Sequence, residues 1–122
     1  MPHIQVVYDQ KKSGVDFDKI SQLARQLPGI VAPALFPADT KDMDLKIKVD
    51  VFTPILAINQ IPVAIRISVG YNKYRNEKGI EKIITEIESS LKETRKKLFA
   101  SLGEKDFFVK VSFSESEFRC IN

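Results

Sequence analysis

Histidine and cysteine are nearly absent from this chain of 122 residues, which holds only His3 and Cys120. One cysteine cannot form an intrachain disulfide or a cysteine cluster for a metal. One histidine removes histidine-based triads and ordinary zinc sites. No metal is therefore expected, no organic cofactor is implied, and Cys120, with no partner in view, is assigned no role. Long apolar runs are missing too. The longest, Ile30 to Phe36, is interrupted by Pro33 and falls far short of the roughly 20 residues that span a bilayer. The N-terminus lacks a basic segment followed by an apolar one, so neither a signal peptide nor a membrane partner is expected, and the cytoplasm is the expected compartment. No segment is low in complexity and no linker divides the chain. Residues 1–122 read as one domain, and a composition 43% hydrophobic suffices for a single core.

The formal net charge is a modest +3. Many lysines alternate with glutamates in one helical segment, a pattern of a solvated face rather than of a nucleic-acid surface. Within a suitable cleft this balance favours small anions over small cations.

Periodicity orders the rest. His3 to Tyr8 reads as a short strand, broken by Ser13-Gly14. Asp16 is placed to cap a helix with apolar positions Phe17, Ile20, Leu23, Ala24 and Leu27. Pro28-Gly29 is expected to stop that helix, and Ile30 to Asp44, holding Pro33 and Pro37, reads as a loop with room for a short helical turn. Leu45 to Val51 alternates strictly, with Leu45, Ile47, Val49 and Val51 on one face. Pro54 and Asn59-Gln60 mark a turn or bent hairpin, and Val63 to Val69 alternates again, ending at Gly70. After a polar loop from Tyr71 to Asn76, a long helix is expected over roughly Glu77 to Leu102, carrying Ile80, Ile83, Ile84, Ile87, Leu91, Leu98 and Leu102 on its core face. Gly103 then stops it. Phe107 to Phe113 is a final strand with Phe107, Val109, Val111 and Phe113 inward.

The order β-α-β-β-α-β consists of two β-α-β halves. Each crossover joins parallel strands and is right-handed, so both helices cover one face of a four-stranded sheet, a two-layer α+β subunit. The other face carries Lys46, Lys48 and Asp50 from one strand and Arg66 and Ser68 from the next. It meets either water or neighbouring subunits.

Pro2 is the candidate for chemistry. It lies directly behind Met1 and opens the apolar stretch Ile4 to Tyr8. Removal of Met1, which a small following residue permits, leaves a free secondary amine at the head of the first strand. An α-amino group titrates at roughly 8, and desolvation lowers that value, so such an amine can act as a base near neutral pH. The alternative is that Pro2 only stiffens the start of the strand.

Met1-Pro2-His3 before an apolar strand, the Phe36-Pro37 pair after the first helix, and the β-α-β-β-α-β order together resemble the tautomerase superfamily. Within it, the 5-carboxymethyl-2-hydroxymuconate isomerase branch is the most similar. The resemblance implies a homotrimer with each active site near a subunit boundary. It also implies an N-terminal proline that moves a proton between carbon and oxygen positions of an unsaturated 2-hydroxy or 2-keto acid. Arginines on the second strand and in the loop before the long helix hold the substrate in that family. The matching positions here carry Lys46 or Lys48, and Lys73, with Arg75 two residues further on and able to supply a forked contact. Lysine is a point charge without the bidentate grip of arginine. Tyr71 and Tyr74 flank Lys73 as candidate walls of a pocket.

Two other classes fit the same order. A ferredoxin-like module would bind small molecules or RNA, but an RNA binder needs aromatics on its open face, where Phe108 is the one aromatic expected. A catalytically silent trimer that keeps the architecture as a binding or structural protein is the other, and the lysines in place of arginines are what favour it.

Overall fold

In the computed structural model, residues 2–12, 15–55 and 61–114 are described. The first strand, β1 (His3–Tyr8), alternates as its sequence requires, burying Ile4, Val6 and Tyr8. It is an inner strand. On one side it pairs in parallel with β2 (Lys48–Phe52), and on the other antiparallel with β3 (Val63–Gly70). The edge strand β4 (Phe107–Ser114) runs parallel to β3, so the sheet order is β2-β1-β3-β4. Both expected parallel crossovers are present. The Ser13-Gly14 break, the Asn59-Gln60 turn and Cys120 lie outside the described residues.

Helix α1 (Phe17–Leu35) begins where expected, with the Asp16 carboxylate accepting the Lys19 N–H at 2.9 Å. It does not stop at Pro28-Gly29. Both Pro28 and Pro33 lie inside it, although each removes a helical hydrogen bond at a typical cost of about 3 kcal/mol. The reason is the continued apolar stripe. Leu27, Val31, Ala34 and Leu35 follow Ile20 and Leu23 at helical spacing and are all buried. Burying such side chains at about 1.5–3 kcal/mol for each large one outweighs the lost bonds.

The expected strand from Leu45 starts later. Asp42 adopts a left-handed conformation (φ 57°) ahead of a 3-10 turn over Met43–Lys46. That turn breaks the alternation: Leu45, expected in the core, is 80% exposed, whereas Ile47 is buried. The stretch before the long helix is also more ordered than a loop. Asn72 caps a short helix α2 (Lys73–Lys78) by accepting the Arg75 N–H at 2.8 Å, and Gly79 at φ 99° separates it from α3 (Ile80–Leu98). A positive φ of this size favours glycine. The long helix ends before Gly103, at Phe99, whose ring is buried against Phe107 at 5.9 Å between centroids.

Helices α1 and α3 pack together over one face of the sheet. Between them and the strands lie Ile4, Val6, Leu23, Leu27, Ile65, Ile67, Ile83, Ile87 and Leu91, all essentially inaccessible to solvent. Among the described residues no helix covers the opposite face. Register places Lys48, His3, Ser68 and Ser112 across it in one row, Asp50, Gln5, Arg66 and Lys110 in the next, and Phe52, Val7, Ala64 and Phe108 in a third. Phe108 stands where expected, beneath the Arg66 guanidinium at 5.6 Å. Phe52 is a second aromatic on this face, 48% exposed. No described helix is long and apolar enough to cross a membrane.

Candidate active site

One end of the sheet gathers the candidate residues. Since β1 and β2 begin where β3 and β4 end, Pro2, the start of β2, Gly70 and Ser114 share that end. Pro2 is buried, and its carbonyl accepts the Lys48 N–H at 3.3 Å. This bond extends the β1–β2 ladder by one rung and fixes the proline against the neighbouring strand.

The cations divide by environment. Lys48 opens β2 with a mostly exposed side chain, its Nζ 3.7 Å from the Asp50 carboxylate. Lys46 closes the 3-10 turn two residues earlier and is exposed, so it is not on the strand as expected. Lys73 is the first residue of α2 and is exposed. Arg75, expected in an open loop with a forked contact to offer, lies instead within α2 and is only 4% exposed. Its Nη1 donates to the Gly70 carbonyl at 2.9 Å and its Nε to the Leu35 carbonyl at 3.2 Å. The guanidinium sits 5.1 Å from the centre of the Phe36 ring. The loop rearranges into a helix because Asn72 caps it, and the guanidinium turns inward because two main-chain oxygens await it there.

Lys78 follows the same pattern, its Nζ donating to the Ala34 carbonyl at 3.0 Å and pairing with Glu86 at 2.8 Å. Helix α1 has no basic residue in its own last turn. Cations are favoured at such a terminus, where the last carbonyls lack helical partners. Here α2 supplies them.

Tyr71 and Tyr74 have neighbours of their own. Tyr71 packs against Phe113 at 5.7 Å, and Tyr74 lies beneath Lys78 at 5.8 Å. On the open face beside Pro2, His3 Nε2 is 2.8 Å from Asp50 Oδ2. That pair is invisible in local spacing, because a parallel crossover brings its members together. Only the alternation of each strand hints that they share a face.

Hollows on the subunit surface lie between α1 and α3, at the corner of α1 and the 3-10 turn, and between α3 and β4. Pro2 lines none of these three. Among the described residues there is no group of three His, Cys, Asp or Glu side chains able to hold a metal ion.

No protein-family model matches the chain, and no curated protein does. Solved structures do. A macrophage migration inhibitory factor-like protein from Entamoeba histolytica superposes with a TM-score of 0.61 at 8% identity, over 95% of this chain and 90% of that one. A member of the cis-3-chloroacrylic acid dehalogenase family gives 0.61 at 13% identity, over 95% and 77%. A fused wild-type 4-OT that forms a symmetric trimer gives 0.57 at 11% identity, over 92% and 85%. What the chain shares with these proteins is the tautomerase-like α+β fold.

Proposed function

We propose that the protein is a cofactor-independent tautomerase or isomerase, acting on an unsaturated 2-hydroxy or 2-keto acid with Pro2 as the proton carrier. The observation that carries this reading is the burial of Pro2 at the head of an inner strand, in a fold shared with tautomerases, at an end of the sheet rich in lysine. With Met1 removed, the neutral nitrogen takes a proton from the enol oxygen or an activated carbon of the substrate. The electron pair left behind spreads over the conjugated system, and the same proton is returned at another carbon. The exchange is balanced in protons and involves no change of oxidation state. A shuttle of this kind works best with its pKa near the ambient pH, and burial moves an amine in that direction. Lys46, Lys48 and Lys73 hold the carboxylate and stabilise the developing enolate oxygen. The 5-carboxymethyl-2-hydroxymuconate isomerase branch supplies the substrate class to test first. A homotrimer, the assembly of the fused 4-OT neighbour, walls in the site that one subunit leaves open.

A silent relative is the second reading. It is favoured by the inward turn of Arg75, which leaves lysines as the exposed candidate cations. Intact mass of the untagged protein comes first in testing, because a retained Met1 makes the Pro2 nitrogen an amide. Ultraviolet assays with enol acids then compare wild type with Pro2→Ala. Turnover lost in the variant supports the enzyme, and none in the processed wild type supports the silent relative.

A further inference from the structure

Arg75 joins the end of a helix to the end of the strand that runs beside Pro2. Leu35 and Gly70 are the last residues of α1 and β3, and one guanidinium donates to both carbonyls while lying over Phe36. His3 is paired with Ser68, so the register carried one step further sets Pro2 beside Val69, next to the clamped Gly70. The Arg75 main chain meanwhile donates to the cap residue Asn72, the neighbour of Lys73. The orientation of the first turn of α2 is thus tied to the strand end beside the proline.

We propose that Arg75 is the positioning residue of this site: it holds Lys73 in place relative to Pro2, and Lys73, not Arg75, takes the substrate carboxylate. This rests on the proposed function of Pro2. Burying a guanidinium is tolerable only where its donors are met. Carbonyls at a helix end and a strand end take two of those donors, and the aromatic face adds a favourable contact. A lysine has one compact ammonium on a flexible stem and cannot serve both oxygens while stacking on Phe36.

An acetylenic 2-keto acid tests this through Pro2 itself. The amine adds to the conjugated alkyne, a C–N bond forms as one π bond breaks, and the N–H proton passes to carbon. The protein mass rises by the whole mass of the probe. Labelling rates measured against probe concentration give a half-saturation value and a maximal rate. A matching acetylenic ketone without the carboxylate reports the amine alone.

Both Lys73→Gln and Arg75→Ala are expected to raise half-saturation for the acid about tenfold and to change labelling by the neutral ketone less than twofold. The double variant is expected to lose no more than Lys73→Gln alone, since one residue acts through the other. Losses that multiply in the double variant would mean that Arg75 binds the carboxylate itself, and would overturn the proposal. Arg75→Lys is expected to weaken half-saturation at least threefold, and wild-type behaviour there also overturns it. If Arg75→Ala does not fold, the cycle is run with Arg75→Lys in its place. A processed wild type that neither probe labels refutes the role of Pro2, a result separate from any pattern among the variants.

Discussion

Lys78 Nζ sits 3.0 Å from the Ala34 carbonyl, so the last turn of α1 is capped by a residue from a helix more than forty positions away. The side chain is only 13% exposed and also meets Glu86. Lys78→Met is expected to lower stability by about 1–2 kcal/mol, the range for a hydrogen bond to a charged group together with a helix-end charge. Urea unfolding checks this; an unchanged midpoint would show that α1 holds its end without help.

Gly79 separates α2 from α3 at φ 99°, and a Cβ built there would touch nothing within 4 Å. The constraint is conformational, not spatial. Gly79→Ala is expected to destabilise by about 1 kcal/mol or more, seen as a lower Tm in thermal unfolding. A neutral result would mean that the junction relaxes to a negative φ.

Leu23 is fully buried between α1 and the sheet. Leu23→Ala should cost about 2–5 kcal/mol, whereas Asp16→Ala, removing only the cap on Lys19, should cost about 1 kcal/mol. Measured side by side by denaturant titration, the two values rank core packing against capping in one helix. Equal losses would contradict that ranking.

Phe52 and Phe108 occupy opposite edges of one row on the open face. If the protein is the proposed trimer and that face is its interface, Phe52→Glu is expected to shift the sedimenting species from trimer toward monomer while the secondary structure by circular dichroism is unchanged. A variant that still sediments as a trimer places the interface elsewhere.

The two inner strands are legible from alternation alone. His3 to Tyr8 and Val63 to Gly70 reveal their inward residues directly, and the β-α-β-β-α-β order follows from them. The full length of helix α1 is not legible locally, because Pro28-Gly29 is a strong local stop signal, while the burial of Val31, Ala34 and Leu35 that overrides it is tertiary. Leu45 shows the converse: its place in an alternating run is local, and the turn set by Asp42 removes it from the strand. Of the candidate site, Pro2, Lys46 or Lys48, and Lys73 are legible only as separate residues far apart in the chain. The inward turn of Arg75 is not legible, because its acceptors on Leu35 and Gly70 are main-chain oxygens that no side-chain motif records.

The position of β1 inside the sheet has a consequence for how the protein is made. Of the four strands of this sheet, β1 is synthesised before the others yet is flanked on both sides, and its antiparallel neighbour β3 emerges roughly sixty residues later. At about 5–20 residues per second, it waits for several seconds or more with its apolar positions uncovered. Ile4 and Val6 are in that sense made before the rest of the described core and wait for β3 before they are enclosed. The end of the sheet that holds Pro2 takes shape only when Gly70 and Arg75 have followed.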